Sequence, residues 1–118
     1  MMRAVHDSVV LYPSCANTAA ALIGMMPDYP GISYMRTTRE KTPILYKGDE
    51  KYEPAAANAA FVGQRQCTLI AAGITLHESL KAYDELKAAG IEVRVIDLYS
   101  VKLIDEKTLH KAAKETVF

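Results

Sequence analysis

The sequence predicts an α/β protein: two partial parallel-sheet βαβ units joined by a linker. Three observations carry this expectation. Short apolar runs recur at residues 9–12, 32–35 and 67–72, with a partly alternating run at 91–96, and Pro, Gly or polar residues bound them. Segments with helical spacing lie between the runs of each pair. Near-continuous apolar runs mark strands buried on both faces, as parallel sheets have them.

Val9-Val10-Leu11-Tyr12 reads as the first strand and Pro13 ends it. Ser14 or Asn17 is placed to cap the helix that follows over residues 18–26. Pro27-Asp28-Tyr29-Pro30-Gly31 stops that helix, and Ile32 to Met35 form the second strand. Such a strand–helix–strand unit is expected to be parallel and right-handed. Residues 37–66 are less regular. Thr42-Pro43-Ile44-Leu45-Tyr46 reads as a short edge strand, residues 47–51 as a polar turn, and residues 55–60 as a helical turn or covered linker.

The second half is more regular. Cys67 to Ala72 form a strand ending at Gly73. Thr75-Leu76-His77-Glu78 fits a capping box with Thr75 as N-cap. Leu76, Leu80, Tyr83 and Leu86 make one apolar helix face, and Gly90 takes the C′ position. Ile91, Val93, Val95 and Ile96 give the next strand, residues 98–101 lead out of it, and Asp105 caps a last helix. Glu115-Thr116-Val117-Phe118 reads as the start of a further strand. The domain expectation is therefore residues 1–46, a linker at 47–66, and a second unit at 67–118.

The 118 residues suffice for one ordinary domain or two half-domains. Lys plus Arg and Asp plus Glu balance at 14 each, so no overall field favours nucleic acid or an acidic membrane surface. No run reaches membrane-spanning length, and no secretory signal opens the chain. Cys15 and Cys67 read as reduced thiols, which with the missing signal makes the cytoplasm the expected location.

The most informative stretch is Arg36-Thr37-Thr38-Arg39, where a buried strand runs out into a loop. Ligands of open α/β sheets sit beyond the carboxyl ends of strands. A guanidinium offers a planar fork of donors for phosphate or carboxylate. Arg39 is the first candidate; the competing interpretation is an ion pair with Glu40, Asp49 or Glu50. Arg36 has the weaker claim, because adjacent strand residues face opposite ways. His77 reads as a capping or surface residue, His110 as solvated and His6 as structural. No His, Cys or carboxylate spacing marks a metal site. Cys15 and Cys67 read as small buried hydrophobes, Arg65 notwithstanding.

Taken in order, these landmarks resemble transketolase. Met2-Arg3-Ala4-Val5-His6 followed by residues 9–14 looks like the late part of that family's pyrimidine-binding domain. Ile32 through Arg39 looks like its strand-plus-arginine segment. Residues 71–80 and 95–102 look like the opening of its C-terminal domain. The resemblance implies an enzyme of carbohydrate metabolism, in the pentose phosphate pathway, that transfers a two-carbon ketol unit between sugar phosphates. It implies thiamine diphosphate and Mg or Ca in the complete protein, and a homodimer there, with none of these groups held by this chain alone.

By the same resemblance Arg39 holds the substrate phosphate, Thr38 stands where relatives often have Ser, and Arg3 occupies a recurring arginine position near the substrate. Cys15 stands where many relatives have Asp, and Leu103 where many have Pro. The family's metal-binding segment and cofactor-activating glutamate lie in an earlier domain, so the chain alone is expected to be inactive. Two alternatives stay open. One is a non-catalytic assembly module presenting residues 98–103 and the Ala-rich helix to a partner. The other is part of a thiamine enzyme acting on 2-oxo acids.

Overall fold

The computed structural model describes residues 1–61 and 66–116. The expectations resting on Arg65 and on a strand running into Val117 and Phe118 lie outside the described residues. Two three-stranded sheets organise the rest. The first has the order β2-β1-β6 and the second β3-β5-β4.

In the first sheet, β1 (Ser8–Leu11) pairs in parallel with β2 (Ile32–Met35), and α1 (Ala16–Met25) forms the crossover. All four residues of β1 are buried because it is the central strand. Val9, Leu11, Leu22 of α1 and Tyr99 form its core. In the second sheet, β4 (Cys67–Ala71) pairs in parallel with β5 (Val93–Asp97), and α2 (Ile74–Ala88) crosses between them. Ala71, Leu76, Val93 and Val95 form this core, with Leu80, Tyr83 and Leu86 packed against it, which is the apolar face the spacing predicts.

Each sheet also carries an antiparallel edge strand that sequence patterning misses. β3 (Asn58–Phe61) pairs with β5, and β6 (Ser100–Lys102) pairs with β1. β3 lies within the segment expected to be linker, and Ala55, at φ 59°, turns the chain just before it. Residues 42–46 are not a strand; they are irregular, with a bend at Tyr46, and have no ladder partners among the described residues. Leu45 and Tyr46 pack on the second core, while Tyr52 and Ala56 pack on the first. Residues 45–56 therefore act as a belt laid across both cores. Edge-to-face contacts link Tyr46 to Tyr52 at 6.3 Å and Tyr52 to Tyr99 at 5.1 Å.

The helix caps differ in part from the spacing-based expectation. The N-cap of α1 is Cys15; Ser14 and Asn17 send their side chains elsewhere. α2 starts two residues earlier than a Thr75 cap would place it. Gly73 is its N-cap at φ 58°, because a Cβ there would stand 2.2 Å from the Tyr12 ring. The Thr75 hydroxyl bonds back to Ala72, and Glu78 pairs with Lys81 at 2.7 Å in place of the capping-box contact. At the other end, Gly90 N–H bonds Lys87 O and Ile91 N–H bonds Leu86 O, the paired bonds of a Schellman motif. Asp105 caps α3 (Glu106–Glu115), accepting from Thr108 N–H at 3.0 Å and from its hydroxyl at 2.6 Å. On the face of β5 opposite α2, buried Arg94 meets Glu115 of α3 at 2.8 Å.

Candidate functional site

A cavity of about 460 Å³ opens beyond the carboxyl ends of β1 and β2. One wall is the β1–α1 turn with the first residues of α1: Ser14, Cys15, Ala16 and Ala19. The other is the loop leaving β2, with Thr37, Thr38, Glu40 and Lys41. Parallel strands place both walls at the same end of the sheet, where ligand sites of such folds form. Thr38 lines the cavity. Arg39, its neighbour in the loop, is exposed and forms no ion pair among the described residues. Glu40, Asp49 and Glu50 do not hold it.

Arg3 is not brought to this cavity. It lines a second one of about 320 Å³ on the opposite side of the first sheet, with Val10, Tyr12, Tyr34, Arg36 and Val101. There the Arg36 guanidinium lies 5.3 Å from the centre of the Tyr12 ring, a cation–π contact. Among the described residues, no three His, Cys, Asp or Glu side chains gather as a metal ligand set. The side chains of the described residues therefore do not fit the metal that the resemblance implies.

Behind the first cavity is a polar cluster that sequence reasoning missed. Asp97, at the carboxyl end of β5, is fully buried. Its Oδ2 accepts from Ser14 Oγ at 2.8 Å and from Tyr46 OH at 3.0 Å. Its Oδ1 has no partner among the described residues. Burial pushes the carboxyl up to about 6, against the hydrogen bonds from Ser14 and Tyr46 and the charge of His77, which lower it. Burial also raises the Tyr46 phenol well above its ordinary value, and Asp97 adds to the effect. His77 is not a surface residue. Its Nε2–H donates to the Ser14 carbonyl at 2.6 Å, a carbonyl being able only to accept. Asn17 Nδ2 donates to Tyr46 O at 2.8 Å. The signal available in the sequence was a carboxylate closing an otherwise buried strand.

Cys15 is buried, with Sγ 3.4 Å from Thr18 Oγ1. Burial raises its thiol, but the Thr18 hydroxyl and the backbone N–H groups of Thr18, Leu45 and Tyr46 outweigh this and leave it below the ordinary value. Lys102 is half-buried on β6; its Nζ reaches Val5 O and, at 2.8 Å, Ser8 Oγ, which ties the start of the chain to the sheet.

Residues 59–117 match the family model described as the C-terminal domain of transketolase. The chain belongs to the transketolase family. Across 117 residues it is 38% identical to transketolase-like protein 1 of Bos taurus, covering 98% of this chain and 20% of that protein. It is 33% identical to Homo sapiens transketolase, covering 98% of this chain and 19% of that protein. The transketolase-type chain thus spans about a fifth of the length of these relatives.

Among solved structures, a split-gene transketolase in an inactive beta4 tetramer superposes with a TM-score of 0.93 at 30% identity, over 98% of this chain and 38% of that one. A Pichia stipitis transketolase variant with fructose 6-phosphate gives a TM-score of 0.75 at 17% identity, covering 97% of this chain and 17% of that one, a likeness of fold. No helix among the described residues is long and apolar enough to cross a membrane.

Proposed function

We propose that the chain is one part of a thiamine diphosphate-dependent transketolase of the cytoplasm, and that its own task is to receive the phosphate end of a sugar substrate. In this reading Thr38 and Arg39 present hydroxyl and guanidinium donors at the mouth of the first cavity. Arg3, which lines the second cavity on the opposite side of the sheet, is not assigned to this phosphate. The observation that carries the reading is that Arg39, exposed and unpaired among the described residues, lies between Thr38 and Glu40, which line a cavity beyond the ends of two parallel strands.

The remaining machinery is supplied elsewhere. The cofactor does the bond breaking and protein groups position the substrate, the usual division in cofactor enzymes. Residues 1–46 are assigned to the end of the pyrimidine-binding domain, 47–66 to the linker, and 67–118 to the start of the C-terminal domain. The complete protein acts as a homodimer with thiamine diphosphate and a divalent metal, and this chain alone is inactive.

The test is Arg39→Ala in the complete protein. A hydrogen bond to a charged group contributes about 1.5–3 kcal/mol, so KM for a ketose phosphate should rise about tenfold to a hundredfold with thiamine diphosphate affinity unchanged. An unaltered KM refutes the assignment. Equal activity on 2-oxo acids and sugar phosphates would move the substrate class to the former.

A second reading, a non-catalytic assembly module, draws on the inactive tetramer formed by the split-gene neighbour. Within residues 98–103, Tyr99 and Ser100 are buried in the fold and offer no surface to a partner. Leu103, at the end of that stretch, is exposed, and so are Ile23 on α1, Ile32 and Tyr34 on β2, and Ile70 on β4.

A further inference from the structure

We infer that Asp97 is a positioning residue: from the carboxyl end of β5 its carboxylate clasps both walls of the first cavity and fixes the loop that carries Thr38 and Arg39. The inference rests on the proposed phosphate role only for what the loop binds; the clasp itself stands on geometry.

The loop leaves β2 at Arg36, whose N–H is bonded to Leu11 O at 2.9 Å. It is next tied down at Tyr46, by Tyr46 OH to Asp97 and by Asn17 to Tyr46 O. Between those anchors, residues 37–44 make no hydrogen bond among the described residues, and Thr37 to Lys41 are all exposed. The position of Thr38 and Arg39 therefore depends on the two ends of the loop. The near end is held by the sheet, and the far end by Asn17 on the Tyr46 carbonyl, by the Leu45 and Tyr46 N–H groups on the Cys15 thiol, and by Asp97 on the Tyr46 hydroxyl, the one tie that reaches the loop from β5.

That same oxygen also takes the hydroxyl of Ser14, in the opposite wall. His77 holds the Ser14 carbonyl from the other side, so the Ser14 wall is gripped twice. Asp97 Oδ2 thus joins a donor from the Ser14 wall to a donor from the residue that ends the opposite loop, beside the direct bond from Asn17 to Tyr46 O. Neither donor comes from β5 or its own sheet neighbours, so the bonds serve no local capping need of the strand. Oδ1 stays without a partner, and burying a half-satisfied carboxylate is costly. A group kept at such a cost at the junction of two walls is doing more than filling space.

The experiment uses ¹⁵N-labelled protein and two variants, Tyr46→Phe and Asp97→Ala, with Asp97→Asn as the conservative replacement. Tyr46→Phe removes one hydroxyl and keeps the ring packing, so it stays informative if Asp97→Ala fails to fold. Backbone order parameters are measured for residues 37–45 and, as a distant control, for α3. The clasp requires them to fall in the loop with Tyr46→Phe, to leave α3 unchanged, and to return toward the parent values in Asp97→Asn, which keeps an acceptor oxygen.

Unchanged loop order in Tyr46→Phe overturns the inference, as does an equal loosening of α3. Inorganic phosphate is titrated in parallel, following the Arg39 Nε–H resonance. Binding weakened threefold or more by Tyr46→Phe supports the clasp as a device of the phosphate site. A loosened loop in a protein whose parent form shows no phosphate response retains the clasp and overturns the phosphate assignment.

Discussion

Asp97 makes the stability of this fold depend on pH in a direction opposite to that of most carboxylates. Its carboxyl titrates at about 6 in the folded chain against an ordinary 3.8. The folded state therefore holds the proton more tightly than the unfolded one. Between about pH 4 and pH 6 the folded chain binds the extra proton, so stability from this group falls as pH rises through that window. The stabilisation is complete below the ordinary value and is lost once pH passes the folded value. Raising a carboxyl from 3.8 to about 6 corresponds to about 3 kcal/mol, a large share of the ~5–15 kcal/mol that holds a domain folded. The groups that face it are His77 from α2, Tyr46 and Tyr52 from the belt, and Tyr99. Burial first of all pushes the Tyr52 phenol up to about 12 and raises Tyr99, so the tyrosines stay neutral throughout the window. The assay is urea unfolding of the parent and Asp97→Asn at several values from about pH 4 to pH 7. Subtraction removes titrations common to both proteins. The parent's stability relative to Asp97→Asn should fall by about 3 kcal/mol across the range. A difference that stays constant with pH refutes the buried, charge-penalised carboxylate.

Three further outcomes follow from local geometry. Gly73→Ala forces a Cβ to within 2.2 Å of the Tyr12 ring at φ 58°; a loss above about 2 kcal/mol in urea unfolding is expected, only partly restored by Tyr12→Ala, and a neutral result contradicts the close approach. Leu103 sits at φ 62°, so Leu103→Gly should raise stability by about 1 kcal/mol, and Leu103→Pro, which locks φ near −65°, should lower both stability and Tm; the reverse order in calorimetry would show that the turn is not left-handed. Glu115→Gln breaks the buried contact with Arg94 and should cost about 3 kcal/mol, whereas replacing both residues with apolar ones should cost far less; equal losses in urea unfolding would exclude an ion-pair origin.

The sequence made the local α/β pattern legible because each βα step buries its own apolar residues. The runs at Val9 and Val93, the α2 face through Leu76 and Leu80, the Gly90 terminus and the Asp105 cap are all settled by neighbours within a few turns. What escaped it is settled by distant partners. β3 and β6 are short and lack a pattern of their own; their strand character comes from backbone pairing with β5 and β1. Thr75 had the right spacing for a cap, but Gly73 against Tyr12, some sixty residues away in sequence, moved the helix start. His77 looked like a solvent-facing first-turn residue until the Ser14 carbonyl supplied it with an acceptor. At the candidate site the Arg39 loop was visible as a strand ending in arginines. The Asp97 cluster was not, because Ser14, Tyr46, His77 and Asp97 come from four separate stretches of chain.

The same long-range pairing bears on how the two halves share stability. Tyr99 is among the largest fully buried side chains, and it completes the core of the first sheet although it follows the last strand of the second. β6 then closes the free side of β1, while the belt through Tyr46 and Tyr52 returns from the first half to cover both cores. The Tyr99 hydroxyl donates to Glu53 O at 3.0 Å and so fastens that belt from beneath. A two-stranded ribbon is marginal alone in water, and without residues 99–102 the first sheet would be one. Residues 99–102, which follow the last strand of the second sheet, therefore complete both the first sheet and its core. A loop pinned across such a junction, as residues 37–45 are, takes its position from both units together. That is why an aspartate on the second sheet can govern a cavity formed on the first.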